Sequence, residues 1–119
     1  MKKTGNRMIR INDEIMREIS QILRADLKDP RVGVITSVLK VDTTNDLKYC
    51  KVYISILGDE EKKQEVMQVL NNAKGYIRSL IASRINLRVT PEITFIKDDS
   101  LEYGFKIDKI IKDIHKGEI

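Results

Sequence analysis

Hydrophobic spacing in this chain changes period in a set order, and that order restricts the fold more than any single motif. From Tyr49 to Ile56 the apolar residues Cys50, Val52, Ile54 and Ile56 fall on every second position, alternating with Tyr49, Lys51, Tyr53 and Ser55. Period two with one apolar side predicts a half-exposed strand. The spacing then becomes helical: Val66, Val69, Leu70 and Ala73 continue as Ile77, Leu80, Ile81 and Ile85, interrupted once at Ala73-Lys74-Gly75. From Pro91 to Lys97 it returns to a strand, with Ile93 and Phe95 on one face. A strand, a helix pair and a second strand form a crossover, which predicts parallel strands joined right-handedly.

The flanks complete the order. Met8, Ile11, Ile15, Ile19, Ile22 and Leu23 recur at helical steps between about Asn6 and Leu27, opposite Arg7, Arg10, Glu14, Arg17, Glu18 and Arg24. Asp29-Pro30 should end that helix, because proline disfavours helical geometry at the residue before it. Val34 to Asp42 is β-branched and predicts a strand, turning at Thr43-Thr44-Asn45-Asp46 into the alternating one as a hairpin. Gly58-Asp59 precedes the helix pair, with Asp59 as its N-cap and Glu60 and Glu61 in the first turn. Asp99 and Glu102 have capping-box spacing ahead of Tyr103, Ile107, Ile110, Ile111 and Ile114. The expected order is α-β-β-α-α-β-α, a three-stranded mixed sheet with helices on one face. No repeat, linker or low-complexity segment interrupts it, so residues 1–119 are expected to form one α+β domain.

Composition matters chiefly for what it excludes. Cys50 is the single cysteine, which rules out an internal disulfide and a cysteine-held metal cluster. No apolar run nears the roughly 20 residues needed to cross a bilayer, and no signal-type segment follows Met1-Lys2-Lys3, so a cytoplasmic protein without membrane partners is expected. There is no phosphate-binding GxxxxGK[ST] loop, no histidine-rich metal spacing and no nucleophile elbow. His115 is the sole histidine, in a lysine-rich segment. Cys50 fits a small core position, and Asp98 and Asp99 fit helix capping. No enzyme, metal or cofactor is expected.

Charge is informative in one place. Net charge is only +4 with 18 acidic residues among 119, yet Val66 to Pro91 contains no Asp or Glu at all. Chance would put about four there by simple proportion. Lys74, Arg78, Arg84 and Arg88 lie in that stretch instead. A helix restart leaves N–H groups without helical partners, and glycine at Gly75 lets another molecule approach the backbone. In an acid-free basic segment that combination suits a phosphate-bearing partner, and nucleic acid first of all. The ordinary alternative is a packing glycine at a kink beside solvated basic side chains.

On a helical wheel Arg78 lies at the edge of the apolar stripe, where its stem can pack while the guanidinium reaches outward. Ser79, Ala82, Ser83 and Asn86 make a small, neutral opposite face that a nucleic-acid backbone can approach. Arg84 falls among Ile77, Leu80 and Ile81, so it is expected to snorkel or to be paired within the protein. Arg88, at the helix end, can serve either the helix dipole or RNA. Arg7, Arg10, Arg31 and Lys48 are secondary candidates, and Arg7 and Arg10 share a face with glutamates that would simply be solvated. Tyr49 and Tyr53 face the less apolar side of the sheet. With 5% aromatic residues, recognition through backbone and shape is expected over base stacking.

A β-α-α-β core with a basic helix junction is the arrangement of KH domains, though their usual GXXG is absent. Several segments together resemble the bacterial ribosome-binding factor A family: Asp29-Pro30-Arg31, Asp46-Leu47-Lys48-Tyr49, Val52-Tyr53-Ile54-Ser55, Leu87 to Phe95, and Asp98-Asp99-Ser100. Ala73-Lys74-Gly75 matches the Ala-x-Gly kink that this family carries in place of GXXG. The resemblance spans nearly the whole chain. It implies a type II KH-like fold and a monomeric, non-enzymatic assembly factor binding the immature 30S subunit and 16S rRNA near its 5′ end. Late maturation, 5′-end rRNA processing, growth in the cold and cooperation with other assembly factors, GTPases among them, are part of what it implies. RNA contacts are then expected at Ala73, Lys74, Gly75, Arg78 and Arg88, with Arg7, Arg10, Arg31 and Lys48 beside them. The chain ends soon after the last helix, where some relatives carry longer basic tails, and Lys106, Lys109, Lys112 and Lys116 are the expected substitutes. Two other readings stay open: a protein-interaction or dimerisation module using the Tyr49/Tyr53 face, and a small-molecule or catalytic domain with Asp98 or His115 in a cleft.

Overall fold

The computed structural model describes residues 5–27, 32 and 36–100. Helix α1 (Asn6–Gln21) carries the expected stripe, with Ile11, Ile15 and Ile19 buried. It runs into one π-type turn, Ile22–Asp26, closed by the Leu27 N–H donating to the Ile22 carbonyl at 2.9 Å. The wider turn takes in an extra residue and buries the neighbouring Ile22 and Leu23 together. Strand β1 (Thr36–Thr43) and strand β2 (Tyr49–Ile56) pair antiparallel, and strand β3 (Glu92–Lys97) joins β2 in parallel. The sheet order is β1-β2-β3, with the helix pair α2 (Glu60–Asn72) and α3 (Lys74–Arg84) as the crossover. The mixed three-stranded α+β arrangement is the one the periodicities predict. The expected last helix and Glu102 fall outside the described residues.

Alternation places Cys50, Val52, Ile54 and Ile56 beneath the helices, together with Ile93 and Phe95 of β3. Tyr49 is exposed on the other face, and Tyr53 carries the Lys40 ammonium 5.8 Å from its ring centroid. In β1 the alternation is broken by a bulge between Val38 and Lys40, whose cross-strand partners Ile54 and Tyr53 are adjacent. The extra residue, Leu39, resets the parity so that Val41 and Thr43 both face inward.

The hairpin turn lies one residue later than expected. Strand β1 runs through Thr43, and the Leu47 N–H closes the turn onto the Thr44 carbonyl at 2.9 Å. Leu47 takes a left-handed φ of 63° and is buried, so burial of its side chain offsets a conformation that leucine disfavours. The Asp46 carboxylate accepts from the Thr44 hydroxyl and the Lys48 N–H. Those bonds, the hydroxyl's first, hold its carboxyl below the ordinary value near 3.8.

Asp59 caps α2 as expected, its Oδ1 accepting from the Lys62 N–H at 2.8 Å. The two carboxylates after β3 make different bonds among the described residues, and the expected capping box with Glu102 lies outside them. Asp98 accepts from the Ser100 N–H at 2.8 Å, whereas Asp99 pairs at 3.1 Å with the ammonium of Lys63, which is only 3% exposed. A buried ammonium must be paired, so Asp99 is drawn to the α2 side chain.

Candidate nucleic-acid interface

The helix pair is built from two unlike starts. Helix α2 begins with an aspartate cap followed by Glu60 and Glu61, carboxylates at the positive end of a helix dipole. Helix α3 begins at Ala73 with no side-chain cap, no acidic residue in its first turn, and Lys74 as its first residue. Ala73 sits at φ −93°, ψ 1°, accepts the Ile77 N–H at 2.9 Å and packs on the core. One residue therefore ends α2 and starts α3. A lysine against the positive end of a helix works against the fold's own electrostatics, which is the opposite of what happens at the start of α2.

Gly75 is exposed, and a Cβ built on it meets nothing within 4 Å among the described residues; its φ is not left-handed. Internal packing does not require glycine here, and backbone conformation does not either. The missing side chain leaves the backbone there open to approach from outside. Gly75→Ala is expected to raise stability by up to about 1 kcal/mol through helix propensity while weakening RNA binding. Denaturant melts and RNA titrations on the same samples check both signs.

Lys74 is half-buried and Arg78, one turn on, is exposed on the same side of α3. The Arg78 guanidinium does not simply reach outward as expected. Its Nε and Nη2 donate to the Thr90 carbonyl at 3.3 and 2.8 Å, which ties α3 to the segment entering β3 and leaves the other N–H groups at the surface. Tyr76, 52% exposed beside Gly75, is a residue the sequence reasoning passed over. Its position off the Ile77-Leu80-Ile81 stripe was the available signal. Ser79, Ala82, Ser83 and Asn86 are all exposed, as the wheel predicts.

Arg84 is paired within the protein. Its two terminal nitrogens donate to the Asp26 carboxylate at 2.9 and 3.0 Å, with Glu18 at 3.6 Å. The π turn helps, because its extra residue brings Asp26 round to the side of α1 that carries Glu18. Asp26's hydrogen bonds push the guanidinium pKa up. Arg84→Ala is expected to lower the thermal midpoint by a few degrees without changing RNA affinity. A loss of affinity with an unchanged melt would refute that division of labour.

The remaining described candidates collect where α3 leads into β3, at the opposite end of α3 from Lys74. Asn12 of α1 accepts the Thr43 N–H at 3.1 Å, and the Lys48 carbonyl accepts the Glu92 N–H at 2.9 Å. Those bonds bring the start of α1, the hairpin turn with exposed Lys48, and the entry to β3 together. Arg7, Arg10 and Arg88 line one cleft of about 350 Å³ between α1 and the segment after α3, with Ile11, Leu87 and Glu14 in its walls. Arg31 lies outside the described residues. The surface is thus two basic groups, Lys74/Arg78 at the helix junction and the three arginines of the cleft, joined by the segment from Arg88 to Thr90.

The model of one protein family, ribosome-binding factor A, matches residues 7–111. A Clostridium tetani protein named ribosome-binding factor A is 50% identical over 109 residues, 92% of this chain and 90% of its own. The solution structure of a Thermotoga maritima protein, a putative ribosome binding factor A, superposes with a TM-score of 0.70 at 33% identity, covering 82% of this chain and 92% of that one. A homology model of the Thermus thermophilus ribosome binding factor A, fitted into a cryo-EM map of a 30S complex, gives a TM-score of 0.61 at 22% identity. It covers 74% of this chain and 91% of that one.

Proposed function

The chain belongs to the ribosome-binding factor A family, and on that basis we propose that it binds the immature 30S subunit through 16S rRNA and assists its late maturation. The observation that carries this reading is the contrast at Ala73: α2 is capped and acidic at its start, while α3 is uncapped and basic. A rRNA phosphate approaching the α3 N-terminus would meet free N–H donors, the helix dipole and Lys74 together. Gly75 admits it, Arg78 offers its remaining N–H groups, and Tyr76 offers a face on which a base can stack. The Thermus relative's 30S complex supports the same partner.

The mechanism needs no bond-making. A protein that binds one arrangement of rRNA more tightly than another shifts the population toward it by that difference in affinity. Contact near the 5′ end of 16S rRNA, help with 5′ processing, action at low temperature and cooperation with assembly GTPases belong to this proposal. So do a monomeric state and a cytoplasmic location, where ribosomes are made.

Sedimentation with immature and mature small subunits over a range of salt tests it. The expected result is co-sedimentation favouring the immature particle, weakening with salt as several phosphate contacts would require. Binding to neither particle would refute the reading, and salt-independent self-association would favour a dimerisation module instead.

A further inference from the structure

We propose that the cleft between α1 and the segment after α3 holds one unstacked nucleotide of an RNA strand. Its phosphates would lie on Arg7, Arg10 and Arg88, and its base against Ile11 and Leu87. The inference rests on the RNA-binding reading and adds a second foothold, beyond the far end of α3 from the Ala73 junction. Ten residues of α3 separate Lys74 from Arg84, about 15 Å of helix.

Three observations carry it. The first is the charge: Arg7, Arg10 and Arg88 converge on one concavity, and none has a carboxylate within salt-bridge distance among the described residues. Arg84, in the same region, has two such partners. Three guanidinium groups around one concavity, with Glu14 the one carboxylate in its lining, leave the site net positive, and a phosphodiester neutralises that while accepting forked hydrogen bonds. The second is the shape, since about 350 Å³ lies in the range of small-ligand sites. The third is the lining. Ile11, 7% exposed, and half-buried Leu87 give an apolar wall that a bare phosphate would not use. Glu14 adds a carboxylate that turns phosphate away from its side and accepts from amino groups on a base edge. Together they orient a nucleotide, with phosphate toward the arginines and base toward Glu14 and the apolar wall.

The test uses a short single-stranded RNA, the same backbone with abasic riboses throughout, and immature 30S subunits, against wild type and Arg7→Gln/Arg88→Gln. The intact RNA is expected to shift the amide resonances of residues 6–14 and 86–88. The double variant should bind it at least about tenfold more weakly. Its salt slope should be shallower by about 1.4, for two lost contacts. The abasic strand should bind wild type more weakly than the intact one, and that difference should shrink in the variant. Equal affinity for the two strands would overturn the nucleotide in favour of phosphate alone, and amide shifts confined to residues 73–78 would overturn the cleft. If the variant binds RNA and 30S subunits like wild type, the cleft falls while the family reading stands. If wild type binds neither, the RNA reading falls and takes the cleft with it. Both substituted residues are exposed, so the melt should be unchanged; should it drop, Arg88→Gln alone, outside any helix or strand, carries the same comparison.

Discussion

Lys74→Glu is expected to weaken binding to immature 30S subunits by roughly ten- to a hundredfold while making the protein slightly more stable. The two effects have opposite signs for one reason. Lys74 is the first residue of α3, where the helix dipole favours a carboxylate by about 0.3–1 kcal/mol, so the native lysine is the poorer choice for folding. A phosphate partner reverses that preference. Arg78→Glu should differ in kind, because it loses RNA affinity and also the forked bond to the Thr90 carbonyl, for about 0.5–1.5 kcal/mol less stability. Denaturant titrations and subunit sedimentation on both single variants separate these outcomes. Retained 30S binding by a folded Lys74→Glu protein would remove the junction from the interface.

Ile81→Ala is expected to cost about 2–5 kcal/mol, much of the total stability of a domain this size. Ile81 and Ile77 are fully buried and seat α3 against α1 and β3. The loss should appear as a lower urea midpoint, and RNA binding should fail at the temperature where α3 melts. A variant with near-normal stability would mean that α3 is held chiefly by its polar ties, Arg78 to Thr90 and Arg84 to Asp26. Those ties are exposed bonds worth far less than a filled core position.

The fold was legible because its signals are local. Period two in β2, the Asp59 cap and the single interruption at Ala73 each depend on a few neighbouring residues, and the crossover follows from their order. The bulge at Leu39 and the left-handed Leu47 were not legible, since both depend on what their side chains meet across the sheet and in the core. The Asp99 ion pair was not legible for a similar reason: its partner Lys63 lies 36 positions away.

The charged residues show the same boundary. Sequence alone determined that an acid-free, basic segment surrounds a helix restart, because composition and spacing are properties of the chain itself. It also set Arg84 apart, by placing it on the buried side of the wheel. Only the tertiary structure decided what each cation meets. Arg84 finds Asp26, 58 positions away, because α3 crosses the end of α1. Arg7 and Arg10, which look like part of an ordinary solvated face, converge on Arg88 because the chain leaving α3 runs back along α1. Charge acts through space and falls off with distance, so its meaning is settled by whichever elements the core brings together.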